Sequence, residues 1–277
     1  GQRQGAIAVY LDVWHKDIFA FLEARLNNGD ERFRTHDLFT GVCIPDLFME
    51  RVKERGTWHL FDPHEVRRVM GFSLEDYFDE EVGNGLFRQK YMECVNHPEL
   101  SKKEIPAIEI FKSIMISQLE TGTPYMFYRD TVNRLNSNRH KGMIYCSNLC
   151  TEITQNQSPT TVIEQRTEDG KIIIEKTPGD FVVCNLSSVS LAKAVKDDVL
   201  ERLISIQVRM LDNVIDLNNI PVLQANITNK NYRAIGLGTF GWHHLLALQG
   251  IAWESEKAVE YCDDLYEEIA YLTIKSS

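Results

Sequence analysis

Apolar residues recur along this chain in short continuous runs and at helical spacing, and the two patterns alternate. The run at 6–11 predicts a strand buried on both faces, and the spacing at 17–26 predicts a helix. A longer helix is predicted at about 105–119, ended by a glycine and a proline, with a strand at 125–128 after it. Its apolar stripe comprises Ala107, Ile108, Phe111, Ile114 and Met115. The alternation predicts a mixed α/β fold.

The segment from 154 to 180 breaks this pattern because it is the most polar part of the chain. Asp169 and Gly170 stand between the two β-type runs 161–163 and 172–174, which is a strong hairpin signal. We therefore interpret residues 154–180 as a surface hairpin insertion. The last predicted helix covers 254–274, with Val259, Cys262, Tyr266, Ile269 and Leu272 on its apolar face.

Three glycines, Gly236, Gly238 and Gly241, form a G-x-G-x-x-G pattern between a predicted strand and a predicted helix. A dinucleotide site also needs an acidic residue about 20 positions further on, at the end of a second strand. That region is instead the predicted final helix.

Composition narrows the range of functions. The chain has 277 residues, 43% of them hydrophobic, which suffices for a sizeable core. A net charge of −10 argues against a general nucleic-acid surface, which needs clustered Lys and Arg. The sequence has no run of about 18 apolar residues and no secretion signal, so we expect no membrane attachment. Six irregularly spaced cysteines suit a reducing, cytoplasmic location.

The chemically richest segment is 147–152, where Asn148, Cys150 and Glu152 stand two residues apart. In an extended chain these three side chains point the same way. The stretch 144–153 holds no cation that would stabilise a thiolate, so the local charge favours a neutral thiol. A neutral S–H suits hydrogen-atom chemistry, and the carboxylate is a candidate general base.

The other cysteines have simpler interpretations. Cys43, Cys94 and Cys262 lie in apolar or amphipathic stretches and are predicted to pack in the interior. Cys184 follows an apolar run, and its residue type alone favours a core position. A structural zinc site would need a second pair of ligands beside Cys146 and Cys150, which the spacing does not supply. We expect no metal in this chain.

Four segments in order carry a resemblance to a known family: 121–126 (TGTPYM), 141–146 (KGMIYC), 147–152 (SNLCTE) and 183–186 (VCNL). Together they resemble the large, catalytic subunit of class I ribonucleotide reductase, and the similarity runs nearly the whole length. The resemblance implies that Cys150 becomes a thiyl radical, that Glu152 takes the 3′-hydroxyl proton and that Asn148 binds the ribose hydroxyls. It also implies that Cys184 is one half of a redox dithiol. The implied substrate contacts are Asn148, Leu149, Cys150, Thr151, Glu152 and Leu186.

The implied fold is a ten-stranded α/β barrel in which a central finger loop carries the active cysteine. The resemblance also implies a tight strand-to-helix turn at the three glycines of the G-x-G-x-x-G pattern. Residues 1–277 would form one barrel domain that is cut at both ends, so we expect the isolated chain to be inactive. Gln2, Arg3 and Gln4 match the family's specificity loop. The resemblance further implies a metal-containing small subunit as radical source, a thioredoxin- or glutaredoxin-type reductant, ATP or dNTP effectors and a homodimer of the full large subunit.

Two other functions stay open at this point. A cobalamin-dependent ribonucleotide reductase shares the Asn-x-Cys-x-Glu pattern. A catalytically silent nucleotide-binding or scaffold fragment would keep the fold without the chemistry.

Overall fold

The computed structural model describes residues 4–277, which form two compact units. The first unit ends at Ser158 and the second covers Pro159–Ser277. The predictions for Gln2 and Arg3 lie outside the described residues, and Gln4 is exposed without regular secondary structure. The prediction of a single domain over 1–277 stays a prediction.

The first unit alternates strands and helices around one parallel sheet. Strands β1, β2 and β5 pair in that order, all parallel, while β3 and β4 form an antiparallel pair. Two single-turn 3-10 helices, Glu31–Phe33 and Leu74–Asp76, lie in the connections. The elements are β1 (Ile7–Asp12), α1 (Ile18–Glu23), β2 (Leu38–Ile44), α2 (Asp46–Glu54), β3 (Thr57–Phe61), α3 (Pro63–Met70), α4 (Leu86–Asn96), β4 (Lys102–Pro106), α5 (Ala107–Thr121), β5 (Tyr125–Tyr128) and α6 (Arg129–Arg134).

Helix α5 and strand β5 confirm the predicted helix at about 105–119, its end at the following glycine and the strand at 125–128. Gly122 has a φ of +74°, so it ends the helix in the left-handed conformation that glycine adopts easily. Ala107 and Ile114 of the predicted stripe are buried in a core that also contains Trp14 and Trp58, and Ile110, outside the predicted stripe, is buried with them. The other three predicted stripe positions are partly buried.

Strand β1 lies where the run 6–11 predicts a strand, but its predicted burial on both faces is wrong. Ile7 and Val9 are exposed. These two residues alternate along β1 and therefore lie on the same face of the sheet, which is left uncovered at this end of the strand. A run of apolar residues does not reveal whether another element covers each face of the strand.

The second unit contains two strand pairs and five helices. The parallel pair β8–β9 packs with α7, α8, α10 and α11 around a separate core, and β6–β7 is antiparallel. The elements are β6 (Thr161–Glu168), β7 (Lys171–Thr177), β8 (Asn185–Ser190), α7 (Leu191–Lys196), α8 (Leu200–Leu217), α9 (Leu223–Tyr232), β9 (Ile235–Phe240), α10 (Trp242–Gln249) and α11 (Glu256–Ser276).

The predicted hairpin is confirmed as β6–β7. Asp169 and Gly170 both have positive φ, 50° and 73°, as a two-residue hairpin turn of the favoured type requires. Nearly every residue of both strands is exposed. That the hairpin is an insertion stays a prediction.

The last helix, α11, is also confirmed, but its buried face is rotated from the predicted one. The buried residues are Ala258, Leu265, Ile269 and Leu272. Val259 is 70% exposed, and Tyr266 is also exposed. Ile269 and Leu272 of the predicted face are buried as expected, and Ala258 and Leu265 complete the buried row of α11, which packs mainly against α8.

The glycine pattern is explained by close packing and a turn, as predicted. A Cβ on Gly236 would lie 2.2 Å from Leu186 Cδ2 on the neighbouring strand. Gly241 has a φ of +81° and links β9 directly to α10.

No closed barrel is present within residues 4–277. Closure requires each strand to pair with two neighbours, whereas β1 and β5 each pair with one, and the β8–β9 pair has two open edges. The predicted ten-stranded barrel with its finger loop is therefore not seen, although the α/β class is. In the same residues no helix is long and apolar enough to cross a membrane.

Candidate active site

The segment that carries Asn148, Cys150 and Glu152 is a tight turn. The Asn148 amide N–H donates to Ile153 O at 3.3 Å, the Thr151 N–H donates to Asn148 O at 3.3 Å, and the Ile153 N–H donates to Asn148 Oδ1 at 3.0 Å. Thr151 has a φ of +70°. The predicted extended conformation is wrong here, because the Asn148 side chain binds the backbone and favours a turn over a strand.

The turn presents its thiol to solvent. Cys150, Thr151 and Glu152 are exposed, while Asn148 and Leu149 are half-buried. Within residues 4–277 the Cys150 thiol has no hydrogen-bond partner and the Glu152 carboxylate has no ion pair. Both groups are thus available to a ligand.

The oxygen and the nitrogen of the Asn148 side-chain amide have different roles. Its side-chain oxygen accepts from Ile153 and closes the turn, while its side-chain nitrogen has no acceptor in the described part of the chain. An amide nitrogen is a donor only. The turn can therefore stay closed while Asn148 donates a hydrogen bond to a hydroxyl oxygen.

Two buried or half-buried amides hold the base of the turn. Asn133 Nδ2 donates to Ile144 O at 2.9 Å, and Asn133 Oδ1 accepts from the Ile144 N–H at 2.8 Å. Gln157 Oε1 accepts from the N–H groups of Tyr145 (3.0 Å) and Cys146 (3.1 Å), and its Nε2 donates to Cys146 O at 3.2 Å. These side chains replace the strand ladder that this segment lacks.

A buried ion pair lies beside this base. Arg129 Nη1 is 3.1 Å from Asp12 Oδ1 and also donates to Glu75 O at 2.9 Å. Burial raises the pKa of the Asp12 carboxyl, although the Arg129 guanidinium opposes the shift. The pair joins α6 to β1 in the interior of the first unit.

The neighbouring cysteines differ from Cys150 in their surroundings. Cys43 is buried, its thiol donates to Tyr145 O at 3.5 Å, and burial raises its pKa to about 12. Burial also raises the pKa of Cys146, which contacts the Gln157 amide. The predicted packing role of Cys43 and of the buried Cys94 is confirmed; Cys262 is half-buried.

The remaining predicted site residues, Cys184 and Leu186, belong to the second unit. Cys184 is half-buried just before β8, and its thiol donates to Asn185 O at 3.6 Å. Leu186 is 54% exposed and lies over Gly236. Asn148, Cys150 and Glu152 share one turn, whereas the redox role of Cys184 and the substrate contact of Leu186 stay predictions.

Tyr10, Asn133 and Gln157 support the turn and were not singled out in the sequence. Tyr10 OH lies 2.6 Å from Ser147 Oγ across a separation of 137 residues. No local pattern marks such contacts, because they depend on which elements the fold brings together.

Fold and site together define a mixed α/β protein that presents an exposed thiol on a turn between an amide and a carboxylate. A family model described as "Ribonucleotide reductase, barrel domain" matches residues 1–277. The chain belongs to this family, which confirms the resemblance seen in the sequence.

Curated relatives agree with the family match. The chain is 49% identical to the ribonucleoside-diphosphate reductase subunit alpha of Treponema pallidum, and the aligned region covers 100% of this chain and 33% of that protein. The subunit alpha of Helicobacter pylori strain 26695 is 37% identical over 100% of this chain and 39% of its own length. The ribonucleoside-diphosphate reductase large chain of Encephalitozoon cuniculi is 38% identical, and the aligned region covers 100% of this chain and 33% of that protein. The chain thus spans about a third of the length of these relatives.

Proposed function

We propose that this chain carries the catalytic thiol segment of a ribonucleotide reductase and acts in the reduction of ribonucleoside diphosphates to deoxyribonucleotides. The observation that carries the proposal is the exposed Cys150 on a turn with Asn148 and Glu152, in a chain that matches the family over its full length. The relatives' names, which specify a diphosphate reductase, support this substrate class.

In the proposed reaction, Cys150 as a thiyl radical takes the hydrogen atom from C3′ of the ribose. Glu152 accepts the 3′-hydroxyl proton, and the 2′-hydroxyl leaves with a proton as water. A dithiol that includes Cys184 supplies two electrons and becomes a disulfide, after which the Cys150 S–H returns its hydrogen atom to C3′. The balance is one ribonucleotide and one dithiol consumed, and one deoxyribonucleotide, one disulfide and one water formed.

The turn suits this chemistry in two ways. Asn148 keeps its side-chain nitrogen as a donor for a ribose hydroxyl while its oxygen closes the turn. An exposed carboxylate without an ion pair among residues 4–277 can serve as a positioned base, a role that contributes typically about 10²–10⁴-fold to rate. Leu149, Thr151 and Leu186 are proposed to contact the nucleotide.

The remaining parts of the function belong to the longer protein. We propose that the radical comes from a metal-containing small subunit, that a thioredoxin- or glutaredoxin-type dithiol restores the cysteines, and that ATP and dNTP effectors act through a specificity loop at Gln2, Arg3 and Gln4. The proposed assembly is a cytoplasmic homodimer in which the sheets of this chain are parts of a closed barrel.

The proposal is tested by measuring deoxyribonucleotide formation in an assembled reductase that contains this chain. Glu152→Gln keeps the side-chain shape but removes the base, so we expect turnover to fall by about 10²–10⁴-fold. Glu164→Gln, on the exposed hairpin, is the matched control and should leave turnover unchanged. A fall of less than about tenfold for Glu152→Gln, below the low end of the range for proton transfer, would contradict the assigned role.

A further inference from the structure

Tyr10 connects the β1–β2–β5 sheet to Ser147, which directly precedes the turn 148–153 that carries Cys150. It lies on β1, and its hydroxyl oxygen is 2.6 Å from Ser147 Oγ. Ser147 directly precedes Asn148 and is buried. The contact joins two positions 137 residues apart, so it is a tertiary link and not a local turn contact.

The Tyr10 ring is held in place by its neighbours in the sheet. A Cβ on Gly41, the residue paired with Tyr10 on β2, would lie 2.3 Å from Tyr10 Cε1, so the ring occupies the space that only a glycine leaves open. On the other strand of the sheet, Phe127 meets the ring edge to face, with centroids 5.8 Å apart and planes at 75°. The hydroxyl is therefore directed by two strands besides its own.

The link continues from Ser147 into the turn itself. Ser147 Oγ donates to Asn148 O at 3.0 Å, and the same carbonyl accepts the Thr151 N–H at 3.3 Å. With the Ser147 proton used in this way, Tyr10 is the donor to Ser147 Oγ. Hydrogen bonds in such a row polarise one another, and partial burial strengthens them. Burial raises the pKa of Tyr10, so its hydroxyl keeps its proton at neutral pH.

We propose that Tyr10 is a positioning residue for Cys150, acting through Ser147 and the Asn148 carbonyl on the turn that carries the thiol. The part of this inference that concerns turnover rests on the proposed reductase function; the part that concerns the turn does not. A reacting group that is out of position lowers the rate of the chemical step even when substrate binding is intact. We therefore expect loss of the Tyr10 contact to lower kcat more than it changes KM.

Tyr10→Phe tests the link because it removes one oxygen and keeps the ring between Gly41 and Phe127. Tyr77→Phe is the matched control, since Tyr77 lies in the same unit, packs against Phe72 and has no hydroxyl hydrogen bond within residues 4–277. Hydrogen exchange of the Thr151 and Ile153 amides reports the turn without any need for catalysis. We expect exchange to rise about three- to tenfold in Tyr10→Phe, the factor that one ordinary hydrogen bond represents, and not in the control.

In the assembled reductase the same variant should lower kcat about three- to tenfold with KM nearly unchanged. Ser147→Ala breaks the same link, so the double variant should lose no more than the larger of the two single losses. Additive losses, an equal loss in Tyr77→Phe, or unchanged amide exchange in Tyr10→Phe would each overturn the inference. A wild-type enzyme that forms no deoxyribonucleotide would contradict the proposed function instead, and amide exchange would still decide the role of Tyr10.

Discussion

The proposed catalytic turn with its base (143–157) and the β6–β7 hairpin (161–177) follow each other in the chain, yet they are stabilised by different contacts. The hairpin is stabilised by its own ladder and by exposed ion pairs of Arg166 with Glu164 and Glu168. The turn has almost no ladder, and its base is bound by side chains from other elements, among them Asn133 and Cys43.

Two arginines illustrate this difference between the turn and the hairpin. The Arg129 side chain, beside the turn, is 3% exposed and pairs with Asp12, whose side chain is 15% exposed, whereas the Arg166 side chain on the hairpin is 42% exposed. An ion pair in water gains little because solvent screens it, while a buried charge without its partner is costly. The comparison teaches that the conformation of the turn depends on side chains in the interior of its unit, whereas the conformation of the hairpin depends on its own ladder.

The largest expected effect comes from breaking the buried pair. Arg129→Met leaves the largely buried Asp12 carboxylate without its partner, so we expect the free energy of unfolding to fall by about 3–5 kcal/mol. Urea denaturation followed by the fluorescence of Trp14 and Trp58, both buried in the same core, measures it.

Arg166→Met is the matched control for this prediction, with an expected change within about 1 kcal/mol. Similar losses for the two variants would remove the distinction between the two regions.

A smaller loss is expected from the base of the turn. Asn133→Ala removes the partner of both backbone groups of Ile144, which is buried, and should cost about 1–3 kcal/mol. Faster exchange of the Ile144 amide should accompany the loss. Gln165→Ala, on the exposed hairpin, should change stability by less than about 0.5 kcal/mol. If Asn133→Ala changed the free energy of unfolding as little as Gln165→Ala, the base of the turn would not depend on the Asn133 amide.

The smallest effect is expected at the hairpin tip. Gly170 has a φ of 73° and open space around it, so Gly170→Ala introduces only the strain of a left-handed alanine, roughly 1 kcal/mol. Amide exchange within 161–177 should rise, while turnover and the urea midpoint of the first unit stay the same. A loss of turnover would show that the hairpin takes part in the function.

Features set by neighbouring residues could be predicted from the sequence. The Asp169-Gly170 turn and the Gly122 stop require particular backbone angles, and the residues that allow them stand in the sequence. The edge position of β1 and the buried row of α11 could not, because they depend on which strand or helix packs alongside.

The candidate site likewise combines features that the sequence predicts with features that depend on tertiary contacts. Asn148, Cys150 and Glu152 were found from their spacing and the family resemblance, but the expected extended shape was replaced by a turn that Asn148 itself closes. The contact of Tyr10 with Ser147 spans 137 residues, and no local pattern encodes it.

The most direct test of the central claim is Cys150→Ser in the assembled reductase, with deoxyribonucleotide formation and substrate binding measured together. A hydroxyl fits the exposed tip of the turn, but its O–H bond is too strong to exchange hydrogen with a ribose C–H. We predict that product formation is abolished while the substrate dissociation constant stays nearly unchanged. Sustained deoxyribonucleotide formation by this variant would remove Cys150 from the reaction and contradict the account.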